Sequence, residues 1–291
     1  MKLAVSALAE FTRRVPFEAI RWRLIPYALG QCQRSFEQPD DRTIRMRHGL
    51  RMRVDVSDWL GRHVYVTGEY EPPTTRVVMA LLKPGDVFVD IGANAGYFTL
   101  LAASRVGPLG RVISFEPFPA TRQRLEANIR LNGLTNCTTY SEAAFDRSAR
   151  LKFYAGPANH LGTSSLRPLA NPSQEIVVQA ERGDVLIPSD VRVSMVKVDV
   201  EGAEAQALLG MQRILEEHRP DLVVEITPRY LAGMDASETE LQTRLAELGY
   251  RAYVIHNEGI KEIEDLARTG LAQVNVLFTC REEIPAELQA N

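Results

Sequence analysis

Residues 87–99 read VFVDIGANAGYFT, and the order of residue types in this stretch predicts the fold class. Its first five residues form a short apolar run, which is typical of a strand buried on both faces of a sheet. Glycines follow at positions 92 and 96, and a helical pattern extends from Tyr97 to Val106. A buried strand that turns at glycine into a helix is the repeating unit of a parallel α/β sheet.

The glycine-containing loop, residues 92–96, indicates a ligand-binding site at the end of this strand. Glycine lets the backbone approach a ligand closely, and the N-terminus of the next helix offers unpaired N–H groups. A dinucleotide fingerprint requires further glycines where Asn94 and Tyr97 stand, and a P-loop requires a lysine directly after Gly96. The remaining pattern, D-x-G-x-N-x-G, favours a different cofactor, and a tight turn without any ligand is the alternative.

Acidic residues follow the first three strands of the predicted sheet, at the edge where ligands bind in such folds. Asp90 would repel a pyrophosphate and attract S-adenosylmethionine, which carries an ammonium group and a sulfonium cation. Glu116 follows the strand Val112–Phe115, and its carboxylate would accept both ribose hydroxyls, as acids do in dinucleotide enzymes. Glu142 follows the third strand and is a candidate for contact with adenine, with a solvated loop position as the alternative.

Strands and helices alternate along most of the remaining chain, which favours a parallel sheet flanked by helices. Further strands are predicted at residues 138–141, 151–154, 176–178, 194–199 and 222–226, and further helices at residues 121–131, 203–217 and 237–248. Near the end, Tyr250–Ile255 and Gln273–Thr279 are predicted strands, with only a weak helix at Ile260–Ala267 between them. Without a long crossover helix, these two strands are expected to pair antiparallel at a sheet edge.

Composition and charge exclude several functional classes. The 291 residues include 34 Lys and Arg and 37 Asp and Glu, so the net charge of −3 argues against nucleic-acid binding through bulk charge. Three widely spaced cysteines form no C-x-x-C pair, which suggests neither a zinc site nor a disulfide framework and fits a reduced, cytoplasmic location. No apolar run reaches about 18 residues, so no transmembrane segment is expected.

The chain is predicted to divide near residue 41. Residues 1–41 form a helical extension without a catalytic motif, and this extension is a candidate surface for a homodimer. Residues 42–291 form the cofactor-binding domain, which opens with a hairpin of Thr43–Arg47 and Leu50–Val54 around a glycine turn.

Four segments of the chain together resemble the FkbM family of S-adenosylmethionine-dependent methyltransferases. They are Gly68–Pro72, Asp90–Thr99, Phe115–Pro117 and Lys197–Glu204, and the resemblance extends from about Arg42 to about Ile226. It implies a Rossmann-like class I methyltransferase fold, in which helices flank a seven-stranded, mostly parallel sheet with an antiparallel last strand. It also implies O-methylation of a hydroxyl on a small molecule, natural product or sugar. The alternative is a nicotinamide-dependent oxidoreductase with an atypical dinucleotide-binding loop.

The resemblance also implies which residues hold the cofactor. The motif positions are Asp90, Gly92, Asn94, Gly96 and Glu116. Tyr70 and Glu71 precede the helix that leads into the cofactor strand, and they are candidates for contact with the amino acid part of the cofactor. Capping of that helix by Glu71 is the competing interpretation.

Asp199 is the first candidate for catalysis, because it stands at the carboxyl end of a strand that faces the predicted cofactor crevice. It could take the proton of an acceptor hydroxyl, orient the acceptor, or contact the cofactor. Lys197 lies on the same face of this strand, and a structural salt bridge is one interpretation of it. His160, in the polar loop Ala158–Ser165, is the second candidate, with a merely exposed loop histidine as the alternative.

No metal site is predicted. Asp199, Glu201 and Glu225 could supply oxygen ligands to a divalent ion, but nothing in their spacing requires one. Glu204 falls in the first turn of the next helix, where a carboxylate suits the helix dipole.

Overall fold

The computed structural model describes residues 2–15 and 18–290. Its α-helices are α1 (Lys2–Arg14), α2 (Glu18–Ser35), α3 (Trp59–Thr67), α4 (Pro72–Leu81), α5 (Tyr97–Val106), α6 (Pro119–Leu131), α7 (Gly183–Leu186), α8 (Glu204–Leu209), α9 (Gln212–Glu217), α10 (Pro228–Ala232) and α11 (Glu238–Glu247). Its strands are β1 (Asp41–Arg45), β2 (Arg51–Asp55), β3 (Val87–Ile91), β4 (Arg111–Phe115), β5 (Cys137–Tyr140), β6 (Ala143–Ala144), β7 (Ala149–Ala155), β8 (Gln174–Glu181), β9 (Met195–Val198), β10 (Asp221–Ile226), β11 (Arg251–His256), β12 (Gly259–Ile263) and β13 (Val274–Thr279). Short 3₁₀ helices occur at Leu161–Thr163, Leu266–Thr269 and Ala286–Leu288.

The central sheet has the strand order β12-β11-β13-β10-β9-β3-β4-β5. Strands β5, β4, β3, β9 and β10 pair in parallel, and β13 lies antiparallel between β10 and β11. The predicted seven-stranded sheet with an antiparallel last strand is therefore confirmed. The inner strands β9 and β10 are buried along their whole length, as expected when helices cover both faces of the sheet.

An eighth strand corrects the sequence prediction at the edge of the sheet. The weak helix predicted at Ile260–Ala267 is wrong over its first half, because Gly259–Ile263 is strand β12, paired antiparallel with β11. A two-residue turn joins the strands, and Ile260 is buried opposite Ile255. This short segment adopts an extended conformation because strand β11 offers it backbone hydrogen bonds.

A second, three-stranded sheet has the order β6-β8-β7, with β7 and β8 antiparallel. The strands predicted at residues 151–154 and 176–178 belong to this sheet and not to the central one. The long loop between them, residues 156–173, contains the predicted substrate segment with His160. A bridge between Tyr154 and Ser165 folds the loop back onto β7.

The N-terminal helices share a buried cluster with the central sheet. The helical prediction for the first 40 residues is confirmed at Lys2–Arg14 and Glu18–Ser35 but is wrong for residues 36–40, which are not helical. The β1–β2 hairpin is confirmed as well. Val5, Cys32 and Phe36 belong to the same apolar cluster as Phe88 of β3. The division of the chain at residue 41 stays a prediction. Among the helices described, none combines the length and apolar character needed to span a membrane.

Candidate active site

A cavity of about 420 Å³ opens at the carboxyl ends of β3, β4, β9 and β10. Most of the residues predicted for the site line it, namely Tyr70, Asp90, Gly92, Asn94, Glu116, His160 and Asp199. The three predicted residues outside the lining are Glu71, Gly96 and Glu142. The parallel strands bring these distant positions together, because their carboxyl ends meet at one edge of the sheet.

The loop after β3 is held against its neighbours by backbone hydrogen bonds. The N–H groups of Gly92 and Ala93 donate to the carbonyl of Phe115, and the N–H of Asn94 donates to Glu116 Oε2 at 2.8 Å. Gly92 has a φ of +83°, and a Cβ there would overlap the carbonyl oxygen of Asp199. This glycine is therefore required by the close approach of the β9 loop as well as by its left-handed backbone.

Replacing Gly92 with alanine tests this packing, with Gly85→Ala as the matched control. Gly85 has a φ of +91°, but nothing lies within 4 Å of the position of its Cβ. We expect G85A to lower the free energy of unfolding by about 1–2 kcal/mol through backbone strain alone. G92A is expected to cost about 2–5 kcal/mol, because the loop at Asp199 must also move. Equal losses in chemical denaturation would show that the contact with Asp199 is unimportant.

Gly96 has a packing role in the structure. It precedes α5 with a φ of +95°, and a Cβ there would overlap the side chain of Leu125 on α6. The glycine lets α6 pack closely against the start of α5. The predicted cofactor contact of Gly96 stays a prediction.

Asp90 is almost fully buried at the end of β3. Its Oδ2 accepts a hydrogen bond of 2.6 Å from the Thr99 hydroxyl, which also lies 2.8 Å from Ser114 Oγ. Burial raises the pKa of Asp90 to about 6, against the attraction of the nearby Lys197 ammonium. The raised pKa means that the surroundings of Asp90 do not fully stabilise its negative charge. A cationic ligand would stabilise it, so this carboxylate is well suited to bind one.

Glu116 is buried beside the loop, and both of its oxygens accept backbone hydrogen bonds. Oε2 accepts from Asn94, and Oε1 accepts from the N–H of Phe118 at 2.9 Å. Burial raises its pKa in spite of these bonds. Each carboxylate oxygen retains a second lone pair, so Glu116 can still accept hydroxyl groups from a ligand.

Lys197 lies among four carboxylates, those of Glu71, Asp90, Asp199 and Glu225, which together are called the acidic wall. Its side chain is only 2% exposed, and its Nζ donates to Asp199 Oδ2 at 2.7 Å. Burial would lower the pKa of Lys197, but the carboxylates of Asp199, Glu71, Asp90 and Glu225 outweigh this and raise it. The ion pair considered from the sequence is therefore present, and it lies in the wall of the cavity itself.

Glu225 lines the cavity, although the sequence suggested it only as a possible ligand of a divalent ion. It lies on β10 with 8% of its surface exposed and lines the cavity, and burial raises its pKa to about 9. Its carboxylate comes within 4.8 Å of those of Glu71 and Asp199. The sequence does contain a signal for this residue, because Glu225 is the one charged residue in the apolar run Leu222–Ile226. Burying a carboxylate in such a strand is costly unless it has a partner or a function.

Glu71 reaches this cluster from the start of α4. Its backbone is left-handed, with a φ of 42°, and its side chain makes no capping hydrogen bond to the helix. Instead, Glu71 Oε2 accepts a hydrogen bond of 3.3 Å from Asn275 Nδ2 on β13. Capping of the helix by the Glu71 side chain is therefore wrong, and its carboxylate belongs to the group around Lys197 although it does not line the cavity. Glu204, in contrast, has a structural role, because it accepts hydrogen bonds from the N–H groups of Val200 and Gly202.

His160 lies on the wall formed by the loop between β7 and β8. Its ring is 5.6 Å from the ring of Trp59, and burial lowers its pKa. The next residue, Leu161, donates its N–H to Asp58 Oδ1 at 3.1 Å, which holds the loop against the start of α3. The structure thus places His160 at the cavity, as a candidate substrate contact requires.

Glu142 does not line the cavity. Its carboxylate accepts a hydrogen bond from the Ser141 hydroxyl at 3.3 Å, and the following residues, Ala143 and Ala144, line the cavity in its place. These alanines are buried on β6, so they give this part of the cavity an apolar surface. The contact between Glu142 and adenine stays a prediction.

Comparison with known proteins finds similarity to methyltransferases. Methyltransferase 1 of Beauveria bassiana is 33% identical over 156 residues, which are 46% of this chain and 61% of that protein. The chain therefore spans about three-fifths of the length of this relative. Hexuronic acid methyltransferase AglP of Haloferax volcanii is 28% identical over 188 residues, 61% of this chain and 72% of that protein.

Solved structures include methyltransferase FkbM from Methylobacillus flagellatus, with 16% identity and a TM-score of 0.46 over 95% of this chain and 58% of that one. The family described as "Methyltransferase FkbM domain" matches residues 90–252, which run from the end of strand β3 into β11. That range is more than half of the chain, and it confirms the resemblance inferred from the motifs. The chain therefore belongs to the FkbM family of S-adenosylmethionine-dependent methyltransferases.

Proposed function

We propose that this protein transfers a methyl group from S-adenosylmethionine to a hydroxyl of a small molecule or sugar. The observation that carries the proposal is the position of Asp199. This carboxylate lines the same cavity as Asp90 and Glu116, and Lys197 holds one of its two oxygens. A candidate base therefore lies beside the residues suited to the cofactor. The relative from Haloferax volcanii is named as a hexuronic acid methyltransferase, which supports a sugar acceptor.

The residues around the cavity fit the cofactor. When bound, S-adenosylmethionine supplies an electrophilic methyl group on a positively charged sulfur. The buried carboxylate of Asp90 would hold a cationic group of the cofactor, and Glu116 would accept its ribose hydroxyls. Ala143 and Ala144 offer apolar surface for the adenine ring of the cofactor.

Asp199 would take the proton of the acceptor hydroxyl as the oxygen–methyl bond forms and the carbon–sulfur bond breaks. Lys197 donates to Oδ2, so Oδ1 is the atom left to receive this proton. His160 is the second candidate base. Because burial lowers its pKa, its ring is neutral at pH 7 and able to accept a proton.

Asp90→Asn is expected to weaken S-adenosylmethionine binding by about 10-fold to 100-fold, because a charged partner of the cofactor is lost. Asp90 is neutral below its pKa of about 6 and ionised above it. Wild-type affinity should therefore rise between about pH 5 and pH 7, whereas that of D90N should stay nearly constant. Isothermal titration calorimetry at several pH values measures both effects.

The matched control for this measurement is Asp86→Asn, just before the opposite end of β3. Asp86 accepts hydrogen bonds from the Lys83 N–H and the Ser194 hydroxyl and does not line the cavity. D86N should bind the cofactor like the wild type. Normal binding by D90N would remove Asp90 from the cofactor site, and a wild type that binds no cofactor would refute the proposed function.

A screen with a labelled methyl donor can identify the acceptor directly. Purified protein is incubated with S-adenosylmethionine carrying a labelled methyl group and a panel of neutral sugars, hexuronic acids and simple phenols. We expect label on an oxygen atom of a polyhydroxylated acceptor. Label found only on nitrogen or carbon would refute O-methylation while leaving methyl transfer intact.

A further inference from the structure

We propose that Glu71, Asp199 and Glu225 bind a divalent cation in the acidic wall of the cavity, with Asn275 as a further oxygen ligand. The ion would be one that prefers oxygen, such as Mg²⁺, Mn²⁺ or Ca²⁺. Binding of the ion is independent of the acceptor, whereas its use in the reaction rests on the proposed function.

The geometry of the three carboxylates suits a single ion. Each offers one oxygen, and no two of these oxygens are more than 4.8 Å apart. An ion placed centrally would lie within about 2.8 Å of each, since the largest such triangle has a circumradius of 4.8 Å divided by √3. Ca²⁺ binds oxygen at about 2.3–2.6 Å and Mg²⁺ at about 2.0–2.1 Å, so small side-chain movements complete the site.

A second observation points to a missing partner at this place. Glu225 is more than nine-tenths buried and faces the cavity, and among the described residues no group donates a hydrogen bond to it. Asn275 pairs with Glu225 across β10 and β13, and its buried Oδ1 also lacks a donor. Buried acceptors without partners are costly, and a cation would satisfy both of these.

The charges around the site favour a cation as well. Four carboxylates surround the ammonium of Lys197, namely those of Glu71, Asp90, Asp199 and Glu225. Three negative charges therefore lack a partner when all four are ionised, and a divalent cation would balance two of them. Lys197 occupies only Oδ2 of Asp199, which leaves Oδ1 for the ion; with the ion bound there, His160 is the candidate base that remains.

A cation here would define the class of acceptor. Asp199 and Glu225 line the cavity, whereas Glu71 and Asn275 do not, so an ion held by all four would sit in its wall. The open coordination positions would face the ligand space, where an acceptor with two adjacent oxygens could chelate the ion. A bound cation also lowers the pKa of a coordinated hydroxyl, which favours its deprotonation. The acceptor class is therefore a vicinal diol or a hydroxy acid.

The test is Mn²⁺ binding to the chelator-treated full chain without cofactor, followed by electron paramagnetic resonance. We expect one saturable site, displaced by Mg²⁺ or Ca²⁺, and a loss of affinity of at least about tenfold in Glu225→Gln. The matched control is Glu201→Gln, which removes the same charge from the same cavity but lies outside the cluster. E201Q should change the affinity by less than about threefold.

A second variant keeps the test decisive if E225Q does not fold. Asn275→Asp adds a carboxylate to the site and is expected to strengthen Mn²⁺ binding. Absence of saturable binding by the wild type, or equal affinities in the wild type, E225Q and N275D, would overturn the proposal. A protein that binds Mn²⁺ at this site but transfers no methyl group would instead refute the proposed function and leave the metal site standing.

Discussion

Replacing Asp199 with asparagine is expected to slow methyl transfer by about 100-fold to 10,000-fold at saturating cofactor and acceptor. The amide has nearly the same shape as the carboxylate, but it cannot take up the proton of the acceptor hydroxyl. It also gives Lys197 Nζ a weaker partner than the present carboxylate at 2.7 Å. Single-turnover transfer of a labelled methyl group, with the acceptor found in the screen, measures the chemical step directly.

The control for this variant is the same substitution outside the cavity, at Asp86. D86N should retain its rate, and D199N should still bind S-adenosylhomocysteine, whose sulfur is uncharged, to within a few-fold. If D199N transferred methyl groups within threefold of the wild-type rate, Asp199 would not be the base. His160→Ala would then be the next variant to measure, because His160 also lines the cavity.

Lys197→Met is expected to lower the free energy of unfolding by about 3–5 kcal/mol, the typical cost of removing one partner from a buried ion pair. Methionine fills a similar volume, so lost packing contributes little. The main cost is that the carboxylates of Asp199, Glu71, Asp90 and Glu225 would face one another without the ammonium among them. Urea denaturation followed by circular dichroism measures the change.

Two comparisons separate this charge effect from a loss of packing. Lys83→Met changes an exposed lysine and should alter stability by no more than about 0.5 kcal/mol. In the double variant K197M/D199N, one of the unpaired charges is removed, so the combined loss should be smaller than the sum of the single losses. Strictly additive losses would show that Lys197 and Asp199 do not stabilise each other.

Most of the fold could be predicted from the sequence because its signals are local. The apolar run Val87–Ile91, followed by a glycine turn and a helix, specifies a buried strand and its crossover in one continuous segment. The strand β12 could not be predicted in this way. Its residues favour no structure strongly, and pairing with β11 decided their conformation.

The grouping of the acids at the strand ends was predictable for a related reason. Asp90, Glu116 and Asp199 each end a strand, and the carboxyl ends of parallel strands converge at one edge of the sheet. The structure places all three in one cavity, as expected. Glu142 also follows a strand, yet its side chain does not reach the cavity, because the chain continues directly into the buried strand β6.

The grouping of the acidic wall depends on long-range contacts, which no local sequence pattern predicts. Glu71 precedes a helix, Glu225 lies within a strand, and Asn275 lies on a strand near the end of the chain. They meet because β13 inserts antiparallel beside β10 and sets Asn275 opposite Glu225, while α4 brings Glu71 to the same place. Residues 204 positions apart then share a hydrogen bond.

The sequence by itself therefore determined the class of fold, the buried strand Val87–Ile91 with its glycine turn, and the acids at the strand ends. Hydrophobic periodicity and turn residues act over a few neighbouring positions, so they are readable without any knowledge of long-range contacts. The tertiary structure alone decided that Lys197 is enclosed by four carboxylates and that Glu71, Asp199 and Glu225 converge. Their convergence depends on strand order and register, and the burial that this packing creates raises the pKa values of Glu71 and Glu225.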